Sequence, residues 1–321
     1  MIAAVRPLDR PLRIGTRGSP LALIQARMVR DALAAAHAEL AAPAAMEIVP
    51  IRTTGDTVQD RRLMEIGGKG LFTKEIEDAL LGDRIDCAVH SIKDMQTWLP
   101  AGLTIGAMLP REDARDALIS RRGSRIDDLP DGAVVGTASL RRQAQLLALR
   151  PDFRVVALRG NVETRLSKVA AGEADATLLA VAGLKRLGLM DKATAIVGVD
   201  EILPAVGQGA IGIEIRTDDA RMHELLAPLD HAATTCCVTA ERACLAELDG
   251  SCHTPIAAFA EPLDDGVHLR LRALIAMPNG TAVHRFMAPE ALAAEPAALG
   301  RRAGVALKAM AAPEFFRALS A

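Results

Sequence analysis

Two stretches of this chain repeat one pattern, in which an apolar strand runs into Gly-Thr and a serine then opens a helix. The first covers residues 14–19 and the second covers residues 135–139. The segments that begin at Asp86 and Asp175 also resemble each other, and they follow in the same order. Strands that alternate with helices are typical of mainly parallel sheets with helices on both faces. The pattern therefore predicts an α/β fold with two similar lobes.

The pattern changes from about residue 234. One helix is predicted to run to Leu248, followed by three strand-like stretches and a final helix after Leu299. This order predicts a small C-terminal α+β domain with a three-stranded antiparallel sheet. We also expect the strand 211–215 to return to the first lobe. The predicted domains are therefore 1–110 with 207–229, then 111–206, then 230–321.

Composition narrows the class of protein. A chain of 321 residues is long enough for two or three domains, and a net charge of −2 argues against a chain-wide nucleic-acid or membrane surface. Neither an apolar leader nor a membrane-spanning run is visible in the sequence. The odd count of 5 cysteines, without paired spacing, suits a reducing compartment. We therefore expect a cytoplasmic protein.

A polar cluster follows the apolar run 85–89, and it contains His90, Ser91, Lys93 and Asp94. Ligands of open α/β sheets bind just beyond the carboxyl ends of strands. The cluster is consistent with such a site, and equally with a solvated turn in which Asp94 caps a helix. Arg17 follows the first predicted strand beside a helix N-terminus, where an anion would be stabilised.

The polar, glycine-rich segment 54–72 contains Gly-Gly-Lys-Gly around Lys69. It lacks the residue order of a phosphate-binding P-loop. A mobile lid over a site is the favoured interpretation, and a plain flexible linker is the alternative.

The second lobe is rich in arginine at its strand ends and helix starts. Guanidinium groups bind carboxylates and phosphates in bidentate fashion, although a single arginine usually lies on a solvated face. Five of them at the ligand-bearing ends of strands and helices predict an anion-lined cleft: Arg141, Arg142, Arg159, Arg165 and Arg186.

Cys252 lies in a short Gly/Ser loop with His253 beside it. Such a position could favour a reactive thiolate, and the alternative is an inert, half-buried thiol. The spacing of the cysteines matches no closed zinc site, so we predict no metal.

Seven motifs together resemble the porphobilinogen deaminase (hydroxymethylbilane synthase) family. They are Thr-Arg-Gly-Ser-Pro-Leu-Ala-Leu (16–23), Gly-Gly-Lys-Gly-Leu-Phe (67–72), Ala-Val-His-Ser-Ile-Lys-Asp (88–94), Gly-Thr-Ala-Ser-Leu-Arg-Arg (136–142), Leu-Arg-Gly-Asn-Val (158–162), Leu-Pro-Ala-Val-Gly-Gln-Gly (203–209) and Gly-Ser-Cys (250–252). The resemblance runs from about residue 12 to 260 in the right order and thins out afterwards.

The resemblance implies a transferase that condenses four porphobilinogen molecules head to tail, with loss of ammonia. The chain grows on a dipyrromethane cofactor, which Cys252 would hold through a thioether, and water then releases hydroxymethylbilane for haem biosynthesis. Asp94 would stabilise positive charge developing on pyrrole nitrogens and mediate proton transfers. Because each pyrrole carries an acetate and a propionate, the bound chain also needs many cationic partners.

The family assigns roles to the matching residues of this sequence. Catalysis would involve Asp94, Lys93 and Arg17. Cofactor binding would involve Cys252, Asp94, Lys93, Ser139, Arg141, Arg142, Arg165 and Arg186. Substrate binding would involve Arg17, Ser19, Arg159, Arg165, Lys69, His90, Ser91 and Gln208. The resemblance also implies a monomer whose partner is the small molecule porphobilinogen, without nucleic acid or membrane. The fold expected with it has two lobes like those of periplasmic binding proteins.

Two other classes of protein fit parts of the sequence. A solute-binding protein would explain two lobes and an arginine-lined cleft, but it would normally be exported and would leave Cys252 without a task. A cysteine hydrolase would need a base in hydrogen-bonded geometry, which the adjacent His253 rarely offers. The departures from the family pattern are Met95-Gln96-Thr97, where a proline is common, and the neighbours of Cys252.

Overall fold

The computed structural model describes residues 10–57, 70–250, 254–265, 267–288, 291–292 and 295–320. The chain divides into two compact units. The first contains the described residues of 1–58, 68–111 and 210–235, and the second contains those of 59–67, 112–209 and 236–321.

The strands follow one another along the chain as β1 Leu12–Arg17, β2 Met46–Ile51, β3 Cys87–Ser91, β4 Leu103–Met108, β5 Asp116–Ser120, β6 Val134–Gly136, β7 Arg154–Val156, β8 Ala176–Ala180, β9 Ala195–Val197, β10 Ile211–Arg216, β11 Ile256–Pro262, β12 His268–Ala276, β13 Val283–Met287 and β14 Ala291–Leu292. The helices are α1 Pro20–Ala36, α2 Thr54–Thr57, α3 Lys74–Leu81, α4 Leu140–Leu149, α5 Val162–Ala170, α6 Val181–Leu187, α7 Ala220–Leu226, α8 Ala232–Glu247 and α9 Pro296–Ser320. Single turns of 3-10 helix cover Ala38–Leu40, Ile92–Asp94, Met190–Lys192 and Ala227–Leu229.

The first unit is built on one five-stranded sheet with the strand order β2-β1-β3-β10-β4. β1 pairs in parallel with β2 and β3, whereas β10 pairs antiparallel with β3 and β4. The prediction that the strand near 211–215 returns to this sheet is confirmed. The return makes the first unit discontinuous along the chain.

Helices cover both faces of this first sheet, as its buried strands require. α1 places Val29 and Leu33 in one core with Leu12 and Ile14 of β1. α3 lies on the opposite face, where Ile76 and Leu80 pack with Ala88 of β3. The serine predicted to open α1 does so, because Ser19 accepts a hydrogen bond from the backbone N–H of Ala22.

The second unit contains a sheet of the same design, with the order β7-β6-β8-β5-β9. β6 pairs in parallel with β7 and β8, and β5 pairs antiparallel with β8 and β9. The two sheets therefore share one arrangement, in which the strand that runs into Gly-Thr in each repeat, β1 or β6, lies between two parallel partners. This confirms the prediction of two similar α/β lobes.

The second unit also holds the predicted antiparallel sheet, β11-β12-β13, with the two-residue strand β14 added beside β12. α8 and α9 pack against each other through glycine. A Cβ atom at Gly300 of α9 would lie 2.1 Å from the Ala240 carbonyl oxygen of α8, so only glycine allows this approach. The three-domain division predicted above, with its boundaries, stays a prediction. No helix in the described residues is long and apolar enough to cross a membrane.

Candidate active site

Two neighbouring parallel strands of the first unit end in polar side chains at one edge of the sheet. β1 ends at Arg17 and β3 ends at Ser91. Ile14 lies opposite Cys87, so the same register brings Arg17 level with His90. The chain then makes the single turn that ends at Asp94, which therefore caps no helix. The predicted site residues of this unit thus meet at a carboxyl edge, where ligands of α/β sheets bind.

A small cavity of about 50 Å³ opens at this edge. Its wall is shared by the predicted residues Arg17, Ser19, His90, Ser91 and Asp94, together with Leu21, Ala22, Gln25, Phe72, Thr73 and Val89. The structure therefore brings five of the predicted residues together around one space.

Arg17 is held in this wall by Asp56 and Phe72. Its Nε donates to Asp56 at 3.2 Å, and its Nη2 makes a second, shorter hydrogen bond to the same carboxylate. Thr53 Oγ1 donates to Asp56 at 2.7 Å, and the guanidinium carbon lies 4.3 Å from the ring centre of Phe72. Although burial raises the pKa of Asp56, the hydrogen bonds from Arg17 and Thr53 outweigh it and hold that pKa below its usual value.

Asp94 lies across the cavity wall from this arginine. Its Oδ2 is 3.9 Å from Nη1 of Arg17, and its side chain is 40% exposed. The site therefore presents an accessible carboxylate and an accessible guanidinium edge side by side. One face can meet a cationic or N–H group of a ligand, and the other can meet a carboxylate.

The remaining polar residues of the edge have protein partners. Gln25 of α1 donates to Ser91 Oγ at 2.8 Å, and His90 Nε2 lies 3.0 Å from Oε2 of Glu214 on β10. Lys93 is half-buried in the single turn. Sequence reasoning missed Gln25, Asp56 and Glu214. Asp56 alone had a visible signal, because it follows the strand β2 at the same edge.

The second unit gathers two of the predicted arginines around one buried carboxylate. Asp116 accepts from Arg141 Nη2 at 2.9 Å and from Arg142 Nη2 at 2.7 Å. Gln208 Nε2 donates to the same carboxylate at 2.8 Å. Burial would raise the pKa of Asp116, but the charges of Arg142 and Arg141 hold it far below its usual value. Two cations on one anion leave an excess of one positive charge at the start of α4.

Ser139 begins α4 as predicted. Its side chain accepts a hydrogen bond from the backbone N–H of Arg142. The other arginines of the second unit lie at comparable positions. Arg159 follows β7, Arg165 donates from Nε to the Gly160 carbonyl oxygen at 2.8 Å, and Arg186 donates from Nη2 to the Gly209 carbonyl oxygen at 2.7 Å. That these groups bind a ligand stays a prediction.

Burial lowers the pKa of Arg186, because few anions offset the loss of water around its charge. Its Nε and the Nε of Arg141 are buried without a hydrogen-bond partner among the residues that the structure describes. Buried guanidinium groups with unused donors are suited to an added carboxylate.

Two predicted residues, Lys69 and Cys252, lie outside the described residues. The described cysteines, Cys87, Cys236, Cys237 and Cys244, form no disulfide with one another. Of these, Cys87, Cys237 and Cys244 are buried in the core and Cys236 is partly exposed. Among the described residues, no group of three or more His, Cys, Asp or Glu side chains is placed to hold a metal ion.

Two family models match this chain. Residues 12–224 match the model described as "Porphobilinogen deaminase, dipyromethane cofactor binding domain", and residues 235–309 match "Porphobilinogen deaminase, C-terminal domain". The matched ranges cover the cavity edge and the arginines of the second unit.

Similar proteins carry the same name. The porphobilinogen deaminase of Nitrobacter hamburgensis is 55% identical over 94% of this chain and 94% of its own length. That of Paracoccus denitrificans is 56% identical over 96% of this chain and 97% of its own length. A periplasmic substrate-binding protein of an ABC transporter from Coxiella burnetii is 15% identical, with a TM-score of 0.41 over 70% of this chain and 94% of that one. The family models and the close relatives together show that this chain belongs to the porphobilinogen deaminase family.

Proposed function

We propose that this chain is a transferase that condenses four porphobilinogen molecules head to tail, with loss of ammonia, and releases hydroxymethylbilane for haem biosynthesis. The observation that carries this proposal is the pairing of Arg17 with Asp94 on a cavity at the carboxyl edge of β1 and β3. Family membership gives that pairing its chemical meaning, because porphobilinogen offers both a pyrrole N–H and carboxylates.

Asp94 is proposed to meet the pyrrole nitrogen. Condensation builds positive charge on the ring as ammonia leaves, and a fixed carboxylate in a partly dry cavity stabilises that charge. The side chain of Asp94 is accessible to a ligand and is already near the Arg17 guanidinium. A substrate that sets a carboxylate on Arg17 would bring its ring within reach of Asp94. Positioning of this kind raises the rate, because the entropy lost in aligning the reacting groups is lost on binding and not in the reaction step.

The further residue roles are also proposals. In the first unit, Lys93 would assist Asp94, while Ser19, His90 and Ser91 would bind substrate. In the second unit, the substrate residues would be Arg159, Arg165 and Gln208. Lys69 would belong to a lid, as its glycine neighbours suggest. We further propose that the protein acts as a monomer in the cytoplasm.

Dipyrromethane is the cofactor that the first family model names. It bears carboxylates, so a fitting site needs cationic donors that the protein itself leaves unused. Arg141 and Arg186 each keep a buried Nε of this kind, and the Arg141–Arg142–Asp116 group carries excess positive charge. These residues fit the cofactor, with Ser139 and Arg165 as further contacts. When bound, the group supplies the free pyrrole carbon on which the chain is built.

We propose that Cys252 anchors the cofactor through a thioether. The resemblance supports this, as does the burial of Cys87 and Cys244. Burial raises the pKa of Cys87 and raises that of Cys244 to about 12, so both thiols are poor nucleophiles. A cysteine in the short Gly/Ser loop 250–252 is the better candidate.

Measuring the intact mass of the denatured protein tests this assignment. The wild type is compared with Cys252→Ala, and Cys236→Ala is the control. The expected result is an added mass that fits a dipyrromethane in the wild type and in Cys236→Ala, and none in Cys252→Ala. Porphobilinogen is then added to the wild type, and its consumption and the formation of hydroxymethylbilane are followed. A wild type that neither carries the added mass nor consumes porphobilinogen would refute the proposed function.

A further inference from the structure

Three titratable side chains lie buried together behind the wall of the cavity. They are Glu77 of α3, His90 of β3 and Glu214 of β10, with exposed fractions of 3%, 5% and 0%. Each of the three elements that pack together here contributes one of them. The closest contact joins His90 Nε2 to Glu214 Oε2 at 3.0 Å.

The sheet register explains why these residues meet. Glu214 lies opposite Ala88 on β3, two residues before His90, so both side chains point to the same face of the sheet. α3 covers that face, because Ile76 and Leu80 share a core with Ala88. Glu77 is the next residue of the helix, and it lies close enough to Glu214 and His90 for their charges to act on its carboxylate.

The group has more acidic than basic members. With both carboxylates ionised and the imidazole protonated, it would hold one unbalanced negative charge in a dry environment. Glu214 Oε1 has no hydrogen-bond partner among the residues that the structure describes. Burial raises the pKa of Glu77, and the nearby charge of Glu214 raises it further, against an opposing hydrogen bond from Thr73. His90 and Glu214 are therefore placed to share a proton, and Glu77 adds a second buried acidic group beside them.

The group of Glu77, His90 and Glu214 meets the cavity directly at His90, and indirectly through Thr73, which is hydrogen-bonded to Glu77. His90 and Thr73 both line the cavity, together with Arg17 and Asp94. Gln96 adds a contact inside, since its Nε2 lies 3.4 Å from Thr73 Oγ1 and 3.4 Å from Glu77 Oε2. A polar path thus leads from the cavity wall to the buried carboxylates. The charged groups on the cavity side are Arg17 and Asp94.

We propose that His90 exchanges protons with the cavity during each condensation, and that Glu214 and Glu77 are positioning residues that set its readiness to hold a proton. The inference rests on the proposed function. Each condensation forms one carbon–carbon bond, breaks the carbon–nitrogen bond to the departing ammonia and breaks one pyrrole carbon–hydrogen bond. His90 gives a proton to the departing ammonia, which leaves as ammonium, and regains a proton from the pyrrole carbon once the carbon–carbon bond has formed, so it ends each step as it began.

The test is the pH profile of kcat for porphobilinogen consumption, measured from about pH 5 to about pH 9. In Glu214→Gln an uncharged amide of equal size replaces the carboxylate, so a proton on His90 is less stabilised. We expect the limb of the profile that reports this proton to move to lower pH by about one unit, with KM nearly unchanged. Glu224→Gln is the matched control, because Glu224 is exposed on α7, and its profile should match the wild type.

The variants of Glu214, Glu77 and His90 distinguish a role in proton exchange from a purely structural role. A Glu214→Gln enzyme that is active with the wild-type pH profile would overturn the inference, because a structural role lowers stability without moving the limb. If Glu214→Gln does not fold, Glu77→Gln should show a smaller shift in the same direction, and an unshifted profile there would also overturn it. In His90→Gln the limb itself should disappear, and its persistence would count against the inference. A wild type without turnover would instead refute the proposed function.

Discussion

Asp56 holds the guanidinium group of Arg17 with hydrogen bonds to both Nε and Nη2, although the two residues are 39 positions apart in the chain. The contact leaves Nη1 of Arg17 directed toward Asp94 at 3.9 Å. Asp56 is therefore part of the site without lining the cavity. Its task is to fix where the arginine presents its free edge.

Replacing Asp56 by asparagine should lower kcat/KM for porphobilinogen by about tenfold or more, because a freed Arg17 no longer holds one orientation. Asp31→Asn is the control, since Asp31 forms an exposed ion pair with Arg30 on α1. Steady-state kinetics of both variants measure the effect. Equal kinetics in the two variants would show that Arg17 needs no such anchor.

Asp94→Ala should leave the fold and the cofactor in place and remove nearly all turnover. The side chain of Asp94 is accessible and makes one long ion pair, so its loss costs little stability. Loss of a charge aimed at the developing cation should reduce kcat by about 10²–10³-fold. The intact mass, the melting temperature and the rate of porphobilinogen consumption are compared with those of the wild type. Near-normal turnover would contradict the proposal that Asp94 is the catalytic carboxylate.

Asp116→Asn should destabilise the second unit. Asp116 is completely buried between Arg141 and Arg142, so its neutralisation leaves two buried guanidinium groups without an anion. Breaking a buried ion pair in this way costs about 3–5 kcal/mol. The measurement is the midpoint of urea unfolding. Asp131→Asn serves for comparison, because Asp131 meets Arg150 on the surface, and equal midpoints in the two variants would contradict the prediction.

Acid should remove a specific contribution from the first unit. Burial opposes ionisation of Asp86, but hydrogen bonds from Arg10 and Arg13 lower its pKa to about 2. A carboxyl group whose pKa is lower in the folded than in the unfolded state stabilises the fold above its unfolded pKa. That stabilisation, about 2 kcal/mol here, is lost as the pH falls toward the folded value.

The check is to compare urea unfolding of the wild type and Asp86→Asn at about pH 6 and about pH 3. At the higher pH the wild type should have a larger free energy of unfolding than Asp86→Asn. This difference between the two proteins should shrink at the lower pH. A difference that stays constant between the two conditions would mean that the Asp86 contacts with Arg10 and Arg13 contribute no net stability through ionisation.

Local pattern determined much of this fold. The apolar run 85–89 predicted β3, the serine-led repeats predicted the starts of α1 and α4, and the three strand-like stretches after Leu248 predicted the antiparallel sheet β11-β12-β13. These features depend on residues a few positions apart, so chain spacing alone specifies them. The family motifs likewise marked Arg17 and Asp94, which the fold brings to one cavity.

Only the tertiary structure decided how the charges pair. The sequence presents Arg141 and Arg142 as ligand-binding cations, but the order of strands brings Asp116 between them. In the same way, Asp56 of the short helix α2 reaches Arg17, and Glu214 of β10 reaches His90, although both are far away along the chain. The strength of such pairs depends on distance and on the water lost around each charge, and neither is encoded in the spacing of residues along one segment.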